Sequence, residues 1–288
     1  MIALNEDCKI NDKVDIIDDG GTITVCEVSM KKTIAEKLRC VNYKGNLDNG
    51  VYNAISPGEN DYEIDEGILY ISYDGRNVIE VPGDFSDVEK FDKNAYQIDR
   101  KKTFFVYQRY PKSYLMYSNT MGATWQTIEL PEKMSVQNLQ FINKDLGYML
   151  SFYDVTVGIA AGTISKTIDG GKTWQIVHKR MEKEEEGTFS RGSQIRFFDE
   201  KIGFLTMPNC NGSYSDLYVT RDGGTTFSEL KITDDSLQEE IYDYYELPTK
   251  EGDTYYLEIG QGADGDYNGG NTKKYESKDN TLSWHEIK

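Results

Sequence analysis

The sequence predicts an all-β fold: a β-propeller of four-stranded antiparallel blades. Three observations predict it. The composition is rich in strand-forming aromatics and in glycine, an eight-residue pattern recurs five times, and a strand–turn–strand pattern accompanies two of the copies. The chain has 21 Tyr, 11 Phe and 26 Gly in 288 residues. Tyrosine and phenylalanine suit pleated, half-buried strands, and glycine supplies the turns between them. A chain of this length permits one large β or α/β domain, or two small ones, and buries a sizeable core.

The recurring pattern reads Ser/Thr, any, Asp, any, Gly, any, Thr/Ser, aromatic. Its clearest copies are Thr167–Trp174 and Thr220–Phe227. Ser118–Trp125 has Thr120 in the Asp place, and Ser277–Trp284 has Thr281 in the Gly place. Ser72–Ile79 is a worn copy. The chain has three Trp, and each one closes a copy, so the pattern is not accidental. The Asp-equivalent positions 74, 120, 169, 222 and 279 lie 46, 49, 53 and 57 residues apart. A period in this range marks one supersecondary unit per repeat. Physically the pattern is a tight hairpin. Glycine permits positive φ, and the Asp and Ser/Thr oxygens accept hydrogen bonds from turn N–H groups. The closing aromatic starts the next strand.

The second pattern is Gln140-Phe141-Ile142-Asn143 before Gly147-Tyr148, and Arg196-Phe197-Phe198-Asp199 before Gly203-Phe204. Each reads as two strands joined by a short polar turn, Lys144–Leu146 or Glu200–Ile202. Four strands per unit follow, with the Asp pattern between the third and fourth. The units are expected near 34–82, 83–131, 132–180, 181–231 and 232–288, in a single domain over 1–288. Residues 1–33 form an N-terminal partial blade around Asp18-Asp19-Gly20-Gly21. Six blades with the first incomplete are expected, averaging 48 residues each; five or seven are the alternatives.

The repeated pattern is similar to the Asp-box, or BNR repeat, and the chain resembles the sialidase-like β-propeller superfamily over roughly residues 65–288. In that superfamily the box is structural and lies away from the ligand face, so the resemblance implies a fold more than a function. Catalytic sialidases use three Arg, a Tyr–Glu pair and an Asp, and carry an early Phe/Tyr-Arg-Ile-Pro stretch. No such stretch occurs here, and Arg76 and Arg221 fall inside box copies. Sialidase activity is therefore not expected.

Charge and composition exclude other classes. Lys plus Arg number 32 against 49 Asp plus Glu, a net charge of −17. This disfavours nucleic acid and anionic membranes, which are polyanions. No stretch approaches the ~18 uninterrupted apolar residues of a spanning helix, so no membrane insertion is expected. No secretory leader opens the chain as given. The polar, Tyr-, Asn- and Gly-rich composition nevertheless fits an exported bacterial protein, extracellular or at the cell surface, and a monomer is expected. Cys8, Cys26, Cys40 and Cys210 form an even set that allows three full pairings; free thiols are the equal alternative. His178 and His285 follow box tryptophans onto outer strands, where a catalytic triad or His-rich metal site is not expected. Motifs for a nucleophile elbow, a zinc protease or a phosphate loop are missing.

The expected ligand face is the end of the blades opposite the boxes. It would carry Gln137, Asn138, Arg191, Ser193, Gln194, Tyr242, Asp243 and Tyr244, with long loops over 153–162, 208–216 and 260–272. Strand alternation places Tyr242 and Tyr244 on one face and Tyr245 on the other, either as an aromatic platform or as packing between blades. The expected function is non-catalytic recognition of a glycan or protein partner. A glycoside hydrolase or lyase with a carboxylate pair is the alternative. No cofactor is expected except a possible Ca²⁺. Residues Asp264-Gly265-Asp266-Tyr267-Asn268-Gly269 match the opening of a calcium loop, with Asp264, Asp266 and Asn268 as oxygen ligands. The twelfth position is Tyr275 rather than Glu, and a metal-free hairpin loop is the simpler reading.

Overall fold

A computed structural model describes residues 17–18, 23–27, 39–44, 53–54, 57–131, 135–155, 159–180, 189–190, 192–209, 214–233, 237, 242–262 and 270–287. The chain is all-β, built from successive antiparallel sheets of the propeller-blade type. It divides into two compact units. The first comprises Met1–Lys90, Ile98–Arg100 and Met121–Trp125; the second comprises Phe91–Gln97, Lys101–Thr120 and Gln126–Lys288. Among the described residues no helix is long and apolar enough to cross a membrane.

In the first unit, β1 (Ile17–Asp18), β2 (Ile23–Glu27), β3 (Arg39–Lys44) and β4 (Asn53–Ala54) form one four-stranded sheet in chain order. A separate three-stranded sheet holds β5 (Asp61–Asp65), β6 (Ile68–Ser72) and β7 (Val78–Val81). The stretch 34–82 thus contains parts of two sheets, because β3 pairs with β2 rather than with β5. The β6–β7 turn is the worn copy of the pattern. Arg76 and Asn77 N–H both donate to Asp74 Oδ1, at 2.9 and 2.7 Å, and Gly75 takes φ +66°.

The second unit begins with β8 (Tyr96–Gln97), β9 (Thr103–Arg109), β10 (Lys112–Ser118) and β11 (Gln126–Glu129). The next sheet is β12 (Ser135–Phe141), β13 (Gly147–Val155), β14 (Ile159–Thr167) and β15 (Gln175–Arg180), with β16 (Phe189–Ser190) beside β14. Then come β17 (Gln194–Phe197), β18 (Gly203–Pro208), β19 (Ser215–Thr220) and β20 (Ser228–Glu229). The last meander is β21 (Tyr244–Tyr245), β22 (Thr249–Glu251), β23 (Thr254–Gly260), β24 (Thr272–Ser277) and β25 (His285–Ile287). It joins the preceding one through a single parallel bridge, Ser215 to Tyr244.

Alternation drives the packing, because both faces of a middle strand are covered. Along β13, Tyr148, Leu150 and Phe152 enter one buried cluster with Ile195, Phe197 and Leu205, while Met149 enters another with Phe104, Leu115, Leu139 and Phe141. Along β18, Phe204 packs with Tyr255 and Leu257, while Leu205 packs with Leu150. Each fully buried large side chain contributes about 1.5–3 kcal/mol of transfer free energy.

Polar side chains then tie each meander to the next. Gln140 exchanges two 2.8 Å hydrogen bonds with the Phe197 backbone. Arg196, at the matching place in its own repeat, donates to Leu247 O and Pro248 O at 3.1 and 3.0 Å. Lys102 is 2 % exposed. Its ammonium donates to Lys144 O and Gly170 O, at 3.0 and 2.9 Å, and lies over the rings of Phe141 and Tyr117. Burial pushes this amine down to about 8, against the attraction of Asp145 and Asp169. It remains a cation at neutral pH, compensated by two carbonyls and two ring faces.

Candidate functional site

The two ends of the second unit are chemically different. At one end sit the repeated turns, and their polar groups bond one another. Thr173 N–H and Oγ1–H donate to Asp169 at 2.9 and 2.6 Å, and Gly171 N–H donates to Thr167 Oγ1 at 2.9 Å. Thr226, Asp222, Gly224 and Thr220 repeat this pattern at the same distances. Bonds from Thr173 and Thr167 hold the Asp169 carboxyl down to about 2. Burial would raise Asp222, but the bonds from Thr226 and Thr220 outweigh it and lower it. The short turns join in: Asn143 Oδ1 accepts from Asp145 and Leu146, Asp199 Oδ1 accepts from Lys201 and Ile202, and Gly170 and Gly223 N–H donate to Asp145 O and Lys201 O.

The other end is where β17, β19, β21 and β24 begin and β18 and β23 finish. The structure brings most of the expected residues to it. Gln194 opens β17 opposite Thr206 and is half-buried. Tyr244 opens β21, opposite Gly260 and beside Ser215. Its phenol is half-buried and shifted up by burial and by Glu246. Asp243 O accepts Ser215 N–H at 3.1 Å. Ser193 is buried, with its Oγ 3.1 Å from Ser190 Oγ. Gln137 falls in a β-bulge, since the β12–β13 ladder passes from Val136 to Asn138, and its amide donates to Ser135 Oγ at 3.1 Å. A bulge re-aims a side chain out of the ladder.

Two details differ from the sequence reading. Asn138 is buried and its Oδ1 accepts Ile195 N–H at 2.7 Å, so its acceptor serves the joint between meanders. Tyr242 packs with Tyr245 in one apolar cluster rather than sharing a face with Tyr244. The reason is that β21 begins at Tyr244, so strand alternation does not extend back to Tyr242. Lys273 Nζ lies 5.0 Å from the centre of the Tyr242 ring. Arg191 and the loop residues Asp264, Asp266 and Asn268 lie outside the described residues. Cys8 and Cys210 do as well.

Two features escaped the sequence reading. The loop expected over 153–162 is shorter, because β13 runs to Val155 and β14 starts at Ile159; Tyr153 thus lies within β13, in a second bulge between Phe152 and Asp154, and is 38 % exposed. A large aromatic where alternation breaks was the available signal. The second feature is a cleft of about 390 Å³ lined by Glu246, Leu247, Thr249, Glu251, Tyr256, Leu257, Glu258 and Lys274. It opens where the first strand of the last meander is interrupted between β21 and β22. Pro248 has no N–H for the ladder, and the carbonyls of Leu247 and Pro248 turn to Arg196 instead. The cleft is lined by apolar Leu247 and Leu257, by Tyr256, by three carboxylates and by one ammonium, Lys274 Nζ, 3.5 Å from Glu258. That pair is too exposed to matter much for stability. Such a lining suits a basic or hydroxyl-rich group on an apolar body. Among the described residues no set of three or more His, Cys, Asp or Glu side chains is placed to hold a metal ion.

No protein-family model matches the chain, and no curated protein matches its sequence. Among solved structures it is similar to the β-propeller domain of the Trilobed protease from Pyrococcus furiosus. The TM-score is 0.47 at 12 % identity, over 95 % of this chain and 82 % of that one. It is also similar to Pyrococcus horikoshii acylaminoacyl peptidase, with TM-score 0.45 at 10 % identity over 95 % of this chain and 45 % of that one. For the phage phi92 endosialidase the TM-score is 0.37 at 11 % identity, over 96 % and 56 %.

Proposed function

We propose that the protein is a non-catalytic binding propeller of the Asp-box, sialidase-like kind. It takes a glycan or protein partner at the strand ends remote from its repeated turns, and an extracellular or cell-surface monomer fits this role. One observation carries the reading: the asymmetry between the two ends. The turn end spends its carboxylates and hydroxyls on its own backbone. The opposite end presents Gln137, Tyr153, Gln194 and Tyr244 from two bulges and two strand starts. Amphipathic tyrosines beside amides suit recognition of sugars or peptide backbone. The near-identical bonding of the turns at 167–174 and 220–227 supports the Asp-box assignment.

The test is a glycan array and a peptide array probed with wild type, Gln194→Ala and Tyr244→Ala. Either substitution should weaken a captured ligand about tenfold or more, whereas Asp169→Asn should change only stability. Unchanged binding in both end variants would overturn the assignment.

A second reading, glycoside hydrolysis, is favoured by Asp216. Its carboxyl is half-buried and shifted up by burial and by Glu229, against Lys231, which is the direction a general acid needs. Turnover of a chromogenic glycoside that Asp216→Asn abolishes would replace the binding reading.

A further inference from the structure

The four cysteines allow three full pairings, and the sheet register separates them. β2 and β3 pair antiparallel with Ile23 opposite Tyr43, Thr24 opposite Asn42, Val25 opposite Val41, Cys26 opposite Cys40 and Glu27 opposite Arg39. Cys26 and Cys40 are 14 positions apart in the chain, yet the ladder makes them direct cross-strand partners. Directly opposite residues share one face of an antiparallel pair, with Cα atoms about 4.5 or 5.5 Å apart depending on the ladder position. Both values fall inside the roughly 4.4–6.8 Å that a disulfide spans. From this register we propose that Cys26 and Cys40 form a cross-strand disulfide that clasps the β2–β3 pair under oxidising conditions.

The chemistry is thiol–disulfide exchange with a small disulfide oxidant such as oxidised glutathione. One thiolate attacks the oxidant, forming a mixed disulfide and releasing one glutathione thiolate. The second cysteine thiolate then attacks the protein sulfur and releases the other. Two protein thiols are oxidised to one S–S bond, one glutathione disulfide is reduced to two thiols, and the cysteine protons pass to the leaving thiolates. The ladder holds the second cysteine beside the first, so closing this bond is intramolecular at high effective concentration. The pairing also leaves Cys8 with Cys210 as the remaining two.

The test is disulfide mapping of the folded, full-length chain. The protein is equilibrated without denaturant in excess oxidised over reduced glutathione, trapped by alkylation and digested with trypsin. Cleavage at Lys and Arg places the four cysteines in four peptides: 1–9, 14–31, 40–44 and 202–221. The expected species joins 14–31 to 40–44 and exceeds every other Cys26 linkage by about tenfold or more. Cys8→Ser and Cys210→Ser should each leave it intact, and Cys40→Ser should abolish it. A dominant link from 14–31 to 1–9 or to 202–221 would overturn the proposal. So would recovery of both Cys26 and Cys40 fully alkylated from the oxidising buffer.

Discussion

The turns at 167–174 and 277–284 perform the same task with different backbones. In both, an Asp accepts a backbone N–H at 2.9 Å and a hydroxyl at 2.6 Å from the residue four positions on: Thr173 for Asp169, and Ser283 for Asp279. In both, two successive residues take positive φ. In the first these are Gly170 and Gly171, at +78° and +95°; in the second they are Asn280 and Thr281, at +57° and +70°. Asn tolerates that region, but a β-branched Thr is strained there. The aromatic differs too. Trp174 Nε1 donates to Gly171 O at 3.0 Å, whereas Thr281 O receives Arg221 Nη2 at 2.7 Å and the buried Nε1 of Trp284 has no hydrogen-bond partner among the described residues. The carboxylate bonding therefore defines the turn. Glycine makes it unstrained, and the aromatic contact can be exchanged.

The sharpest way to break this comparison is to put a side chain at Gly171. A Cβ there would sit 2.7 Å from Leu115 Cδ2 and 3.3 Å from Phe141 Cζ, at a φ that L-residues avoid. Gly171→Ala should cost about 2–4 kcal/mol by denaturant unfolding, from strain and overpacking together. Thr281→Ala at the matching place should cost less than about half of that, because a Cβ is already accommodated. Equal losses would mean that the two turns are not equivalent.

Next in size is the carboxylate. Asp169→Ala should cost about 1–2 kcal/mol at neutral pH, through lost hydrogen bonds at an exposed turn. The folded state holds Asp169 down to about 2, below the ordinary 3.8. Its stabilisation is therefore complete above about pH 4 and is lost as pH falls towards 2. The gap between wild type and Asp169→Ala, followed by urea titration across that window, should close on acidification. A gap independent of pH would show that the ionised carboxylate is not the acting species.

The smallest effect sharpens the comparison from the other side. Thr281→Gly should stabilise the protein by about 1 kcal/mol, as relief of strain exceeds the added entropy of the unfolded chain. A fall in melting temperature would show that Thr281 has a compensating contact that the backbone angles do not reveal.

Much of this was legible in the sequence because it is local. Thr167, Asp169, Gly171, Thr173 and Trp174 all bond within four residues of one another, so the pattern that names the turn also contains its partners. The same holds for Asn143 with Asp145 and Leu146, and for Asp199 with Lys201 and Ile202. Hairpins follow from such turns, and four-stranded meanders follow from hairpins that recur every 46 to 57 residues. The end of the meanders remote from the turns also follows, because strand polarity alone places Gln194 and Tyr244 there.

Tertiary structure decided the rest, because the partners are remote in sequence. Lys102 reaches carbonyls 42 and 68 residues away, and nothing near it in the chain announces a buried cation. Asn138 resembled a surface amide until Ile195, 57 residues on, took its oxygen. Beside the cleft, the carbonyls of Leu247 and Pro248 meet Arg196, more than fifty residues earlier in the chain. The sequence determined which backbone groups would leave the ladder at Pro248. Only the packed sheets determined which side chain would meet them, since a buried carbonyl must be satisfied by whatever donor the fold brings within reach.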